Sequence, residues 1–553
     1  MLDTTGLQFE QAVPAPSTVP NRADVACFIG FIPRSQKFLD ALPASLSLWL
    51  RGQGLVNVPG APSEFDASGV LTPRVRDLLQ LPVPIDSWST FTDLFDWQGR
   101  PLDPHVFDAQ GLPLDLDPGT GISYLGAAVR SFFAQGGRKC FVIRVGDPLR
   151  VSTPRATRLA QIGALLPEWA GNLAAQSPEA PELWLGIAHL FGLSEASFVC
   201  LPDLPWLVAQ ELPPPVLDPP LPARPEFFVE CSAPATADPP TIINATGAPR
   251  LVDTQGYQDW GRALNMAGRF IGSTTPARSR KDLQLIAAIP LPLPGSDADE
   301  DLLNTLVNAR ILERLESDRS GVSSAHVQLT YPWISWPGSA DLPDGLEPPD
   351  GALAGVLARG TLLEGAFKSF ADQDLRHVNR LEPELSLAQM ASVRRRNLEP
   401  SESGDARFLS LRQRVSLFGF SVNGIELLAD VTTSADEAWR PANVNRLMSV
   451  WVRALQRAGE DFVFEPSNEL LWADVRHRLQ FIGESLFRNG ALNGRNPQEA
   501  FEVRCDRSTM ALSDLDSGRL VAEVRFRPAI PIEGIVIALG LHEAQQISIR
   551  QVA

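Results

Sequence analysis

Apolar residues along this chain fall into two rhythms, and the change between them divides it. Val25-Ala26-Cys27-Phe28-Ile29-Gly30-Phe31-Ile32 is an almost unbroken apolar run, the mark of a strand buried on both faces. Leu81-Pro82-Val83-Pro84-Ile85 reads as a second strand, followed by a short helix between Trp88 and Phe95. Tyr124 to Gln135 then carries Leu125, Ala128, Val129, Phe132 and Phe133 at helical spacing. Gly136-Gly137 stops that helix, and Cys140-Phe141-Val142-Ile143-Arg144-Val145 is the next strand. A helix-like stretch from Leu183 leads to the strand Phe198-Val199-Cys200-Leu201, and Leu283–Ile289 is another. Leu303, Val307, Ile311 and Leu315 mark a helix, and Val327-Gln328-Leu329-Thr330-Tyr331-Pro332-Trp333 is a last strand. Helices alternating with continuous apolar strands predict an α/β layer.

Beyond Trp439 the rhythm changes. Val444, Leu447, Met448, Trp451 and Leu455 make one helical stripe, with Gly459 as its expected stop; Phe462-Val463-Phe464 is a brief strand. Trp472, Val475, Leu479, Ile482 and Leu486 make a second stripe, opened by Ser467/Asn468 and closed by Gly490. Phe501–Cys505 and Leu520–Phe526 then alternate as half-buried strands. This predicts an α+β domain, two helices on one face of an antiparallel sheet.

Punctuation sets the expected boundaries. Residues 1–22 hold one short alternating strand, Leu7–Val13, cut off by Pro14, Pro16 and Pro20. A lone strand with one apolar face needs a sheet to join. It folds back as an edge strand, frays, or pairs with another chain. Residues 23–371 form the α/β domain, with insertions near 38–80 and, through the proline tract that begins at Pro205, near 204–245. Residues 372–409, polar and carrying Arg394-Arg395-Arg396, read as a connector, 410–540 as the C-terminal domain, and 541–553 as a tail with the isolated strand Gln546–Val552.

Several of these stretches resemble contractile tail sheath proteins, the family of phage tail sheaths and extracellular contractile injection systems. The resemblance is carried, in order, by Asp24-Val25-Ala26, Ala127–Cys140, Val327–Trp333, Pro348–Val356 and Ser434–Leu447. It continues through Phe464-Glu465-Pro466-Ser467-Asn468, Leu471-Trp472, Phe501–Asp506 and Asp514–Leu520. It implies a multidomain tail-sheath fold, the α/β part plus the α+β domain with extended N- and C-terminal arms. It implies a subunit that stacks as hexameric rings around an inner tube and contracts to drive that tube into a target.

Composition narrows the alternatives. The 553 residues carry 48 Lys and Arg against 65 Asp and Glu, a formal charge of −17. This disfavours nucleic acid, which needs clustered cations, and anionic membranes. No stretch of about 18 apolar residues is present to span a bilayer, and Met1–Thr5 has no leader-like pattern. Assembly in the cytoplasm is expected, as part of a virion-like or extracellular particle. The five cysteines are scattered through apolar text and read as buried thiols.

Catalytic patterns fail one at a time. Asp297, Asp299 and Asp301 have the spacing of a calcium loop, but Leu302 and Asn308 stand where it needs Gly and Glu. Acidic residues at a helix start have a simpler use. Gly119-Thr120-Gly121 lacks the third glycine of a dinucleotide fingerprint, and no phosphate loop or nucleophile elbow occurs. His105, His326 and His477 have no partner pattern. No enzyme, metal site or cofactor is expected.

Assembly remains. Strand donation from both ends is a heterologous contact that generates rings or helices. Leu7, Phe9 and Val13 with Ile547, Ile549 and Val552 are the candidate arm contacts, hinged at Pro14–Pro20 and Leu541–Gln545. Arg446, Arg453, Arg457, Arg476 and Arg478 are candidates for docking an acidic tube; the alternative is solvated arginines on ordinary helices. The expected partners are other copies of the chain, the tube protein, and baseplate and cap proteins. A non-contractile baseplate or shell component on the same domain is the alternative function.

Overall fold

The structure is a computed structural model. It describes residues 22–57, 63–97, 121–150, 153–210, 247–273, 280–312, 324–391, 394–395, 408–422, 424–460, 468–510, 521–529, 536–541 and 547–552. The N-terminal arm with Leu7, Phe9 and Val13, nearly all of the proline tract, and the strand expected at Phe462–Phe464 lie outside these residues.

The centre is an eight-stranded sheet. Its strands are β1 (Ala26–Phe31), β2 (Pro82–Ile85), β3 (Cys140–Gly146), β4 (Phe198–Cys200), β5 (Gln284–Ala288), β6 (Val327–Tyr331), β7 (Ser416–Ser421) and β8 (Gly424–Leu427). They lie in the order β8-β7-β6-β5-β4-β1-β3-β2. The six from β7 to β3 are parallel, and β8 and β2 run antiparallel at the edges. Parallel strands need cover on both faces, which is why β1, β5 and β6 are buried at every position.

The main covering helices are α1 (Ala44–Gly52), α2 (Leu125–Ala134), α3 (Arg155–Leu165), α4 (Thr254–Ile271) and α5 (Asp350–Glu364). α2 and α5 approach at backbone distance: a Cβ at Gly351 would sit 2.3 Å from Ala128 O, and one at Gly355 would sit 2.6 Å from Phe132 O. α5 is therefore buried from Asp350 to Gly360 and has no polar face.

A second, smaller layer follows. α6 (Ala442–Glu460) and α7 (Glu469–Arg488) cover β9 (Phe501–Arg504) and β10 (Glu523–Phe526), an antiparallel pair. Asn468 caps α7, its side chain accepting from Leu471 N at 2.9 Å. Trp451 stacks on Phe526 at 5.6 Å, and Val503 packs with Val475 and Leu479. The chain ends in a hairpin of β11 (Val536–Leu541) and β12 (Ile547–Val552).

The structure corrects five expectations. Residues 38–80 are no peripheral insertion: Leu46, Leu50, Val56, Leu71, Val75 and Leu78 enter the main core, and Trp49 meets Phe141 at 5.8 Å. The segment reads as irregular because its helices are short. Leu204–Val208 is a buried helix, not the start of an insertion; Pro205 sits in its first turn, where no N–H is required. The connector is built into the sheet domain. Arg380–Glu382 pairs with Trp333–Ser335, and residues 372–375 cover the outer edge of β8 through Leu427 N to Gln373 O at 3.0 Å and Leu375 N to Ile425 O at 2.8 Å. A C-terminal domain starting at 410 is also displaced, because β7 and β8 belong to the main sheet and the second layer begins at α6. Finally, α6 runs through Gly459 to Glu460.

Candidate assembly surfaces

Among the described residues, the second layer has strand edges with no neighbouring strand. Arg527 N donates to Ala500 O at 2.9 Å, so residues 500 and 527 form a hydrogen-bonded antiparallel pair. Stepping by two, 502/525 and 504/523 are hydrogen-bonded as well. The N–H and C=O groups of Phe501 and Val503, and of Val524 and Phe526, therefore point away from the partner strand; of these, the Phe501 N–H is taken by Pro497 O, which closes a short helix of residues 497–500. Among the described residues β9 and β10 form a sheet of two strands only. Glu502, Arg504, Glu523 and Arg525 occupy the face opposite the helices, paired along their own strands as Arg504–Glu502 at 2.7 Å and Arg525–Glu523 at 2.8 Å.

The C-terminal strand is not isolated. It pairs with β11 over six positions, from Leu541 opposite Ile547 and Leu539 opposite Ile549 to Val536 opposite Val552. The sequence shows an alternating strand at the end but cannot show that its first partner lies just upstream. A two-stranded hairpin is marginal in water on its own, and among the described residues this one joins no other sheet.

The candidate docking arginines divide. Arg446 is buried: it donates to both oxygens of Asp430, at 3.1 and 2.5 Å, and to the carbonyls of Ala366 and Lys368. Arg453 is buried as well, against Asp282, Ser197 and the backbone at the feet of three strands. Neither is available to a docking partner. They lie off the apolar stripe because α6 is sandwiched: Leu447 and Trp451 face the second layer, while Arg446 and Arg453 plug into the sheet domain. The signal available in the sequence was the i, i+7 spacing of the two arginines, which places them on one face. The side chain of Arg457 lies outside the described set. Arg476 is half-buried and Arg478 exposed on α7, beside exposed His477 and with Leu470 77% and Phe481 66% exposed.

Three perturbed carboxyl groups lie around the α2–α5 helix pair. Asp203, at the start of the Leu204–Val208 helix, is buried and accepts N–H bonds from Phe31 at 2.7 Å and Tyr124 at 2.6 Å, so it caps the first turn of α2. Burial raises its pKa to about 7, against the pull of those N–H groups. Burial likewise pushes Glu347, which accepts from Ser131 Oγ, up to about 8. Asp350 is raised by burial and by the nearby charges of Asp203 and Glu347. Burial lowers His189 to about 3 and His326 to about 4. These groups sit in the core, not in a cleft. Asp301 caps its helix through Asn304 N, and the described residues contain no set of three side chains suited to a metal.

The fold is shared with chains of a contractile particle. A chain of the anti-feeding prophage baseplate in the contracted state aligns over 99% of this chain and 100% of its own, with TM-score 0.52 and 16% identity. One in the six-fold symmetrised baseplate of the same prophage aligns over 98% and 100%, at 0.51 and 18%. A chain of that prophage's contracted helical sheath covers 99% and 100% at 0.48 and 16%. No protein-family model and no curated protein sequence matches the chain. No helix among the described residues is long and apolar enough to cross a membrane.

Proposed function

We propose that this chain is a structural sheath subunit of a contractile injection or phage-tail-like particle. It polymerises as stacked hexameric rings around an inner tube and shortens to drive the tube forward. The observation that carries the reading is the small β9–β10 sheet, whose outward N–H and C=O groups at Val503, Val524 and Phe526 suit strands added from other copies. The chain's own ends supply such strands: Leu7, Phe9 and Val13 on one side, and Ile547, Ile549 and Val552 on the other. The β11–β12 hairpin is then the closed form of the C-terminal strand, exchanged between copies on assembly. Many weak bistable contacts add along the polymer, and a kinetic barrier holds the extended state.

Docking on the tube falls to α7, where Arg476 and Arg478 sit near exposed Leu470 and Phe481, with Arg457 on α6 as a further candidate. Baseplate and cap proteins close the two ends. The subunit is made in the cytoplasm and has no catalytic role. A non-contractile baseplate component is the second reading; it is favoured by the two structures with TM-scores above 0.5, both of baseplates. Electron microscopy of the protein expressed alone separates the two: a sheath forms wide tubes, whereas particles that stay small at high concentration support the baseplate reading.

A further inference from the structure

Arg453 ties α6 to three other stretches of the chain. Its guanidinium donates to the carbonyl of Arg22, the first described residue, and to Ala196 O and Ser197 Oγ (2.8 Å) just ahead of β4. It also meets Asp282, ahead of β5, at the carbonyl (3.2 Å) and at Oδ2 (3.4 Å). Arg280 holds that same carboxylate through two bonds of 2.9 Å, and Arg22 in turn grips Asp24 at 2.9 and 2.7 Å. Arg453 itself belongs to α6, two residues beyond Trp451, which stacks on the second layer.

We infer that Arg453 is a mechanical junction between the root of the N-terminal segment and the C-terminal layer. Tension on the chain ahead of Arg22 meets α6 before it reaches β1, and passes through Trp451 to β9 and β10. The forked guanidinium suits the task because it holds several acceptors at fixed angles; a lysine has one point of charge and no fork. In a polymer, the pull of one neighbour on the N-terminal segment would thus be handed to the layer that other neighbours join. That consequence rests on the sheath reading, whereas the junction itself does not.

The test uses the unassembled full chain, so it stands whether or not tubes form. Hydrogen exchange is compared between the native protein and R453K, which keeps the charge, with R453M as the harsher variant. In R453K, exchange should rise by about tenfold, the factor that about 1.4 kcal/mol makes, in peptides covering residues 22–27, 194–198 and 281–285. Peptides in β2, β3 and α1 should stay unchanged. Single-molecule pulling adds a directional readout. With handles at the N-terminus and R504C, the first rupture should come at lower force in R453K. With handles at S89C and D344C, both within the sheet domain, it should not move. Unaltered exchange at residues 22–27, an equal rise everywhere, or equal weakening in both pulling directions would overturn the junction.

Discussion

Replacing Asp430 by alanine isolates what fixes α6 to the sheet domain. Its carboxylate is fully buried and accepts four bonds: from Arg446 Nη1 at 3.1 Å and Nη2 at 2.5 Å, from Gln328 Nε2 at 3.0 Å, and from Phe370 N at 3.0 Å. D430A leaves the guanidinium of Arg446, 2% exposed, with carbonyl acceptors and the Phe370 ring at 4.7 Å but without its counter-ion. Breaking a buried pair from one side costs about 3–5 kcal/mol. The paired replacement R446M/D430L removes both charges and should recover much of that loss, because well-packed apolar substitutes for buried pairs are often neutral. Urea unfolding followed by tryptophan fluorescence is suited to the measurement, since Trp451 lies on the same helix and is 1% exposed. The double-mutant cycle should show coupling of at least about 2 kcal/mol, within the range for contacting residues. A D430A loss below about 1 kcal/mol, or a cycle without coupling, would refute the view that this pair anchors α6.

Three further outcomes are expected. Glu347 and Asp203 have folded pKa values near 8 and 7, above the ordinary carboxyl range. The folded state therefore keeps protons that the unfolded chain releases between about pH 4 and 8. Stability is full below that window and is lost as pH rises through it; E347Q should flatten the decline in thermal midpoint between pH 5 and 8, and an unchanged slope counts against the burial of Glu347. A disulfide between L539C and I549C, which face each other in the hairpin, should block assembly when oxidised and permit it when reduced; assembly in both states rules out strand exchange at this hairpin. Cys27, Cys140, Cys200 and Cys505 are buried, with thiol pKa values raised by burial. A thiol reagent should leave all four untouched in the native protein and react with them in urea, as peptide mapping will show.

What was legible in the sequence follows the range of the forces involved. The strand at Val25–Ile32, the helix ending at Gly136 and the cap at Asn468 are set by neighbours a few residues away, and they stand within a residue or two of expectation. The 18-residue helix α4 escaped notice although one side carries Tyr257, Trp260, Leu264 and Ile271; glycines and polar residues interrupt the stripe. Sheet membership is a long-range property. Ser416–Ser421 joins β6 through pairs such as Thr330 opposite Ser416, separated by a whole connector, and no local pattern announces them. The docking arginines failed for a related reason. An arginine off an apolar stripe reads as solvated until a second buried surface appears, and Asp430 and Asp282 are brought to α6 only by the finished fold.

The most direct test of the sheath reading is a helical reconstruction of the assembled protein by cryo-electron microscopy, at a resolution that separates strands. A strand from another copy should lie against the outward N–H and C=O groups of Val503 or of Val524 and Phe526, traceable to residues 7–13 or 547–552. Tubes whose subunits meet through other surfaces, with both edges bare and each C-terminal strand still on its own β11, would contradict it.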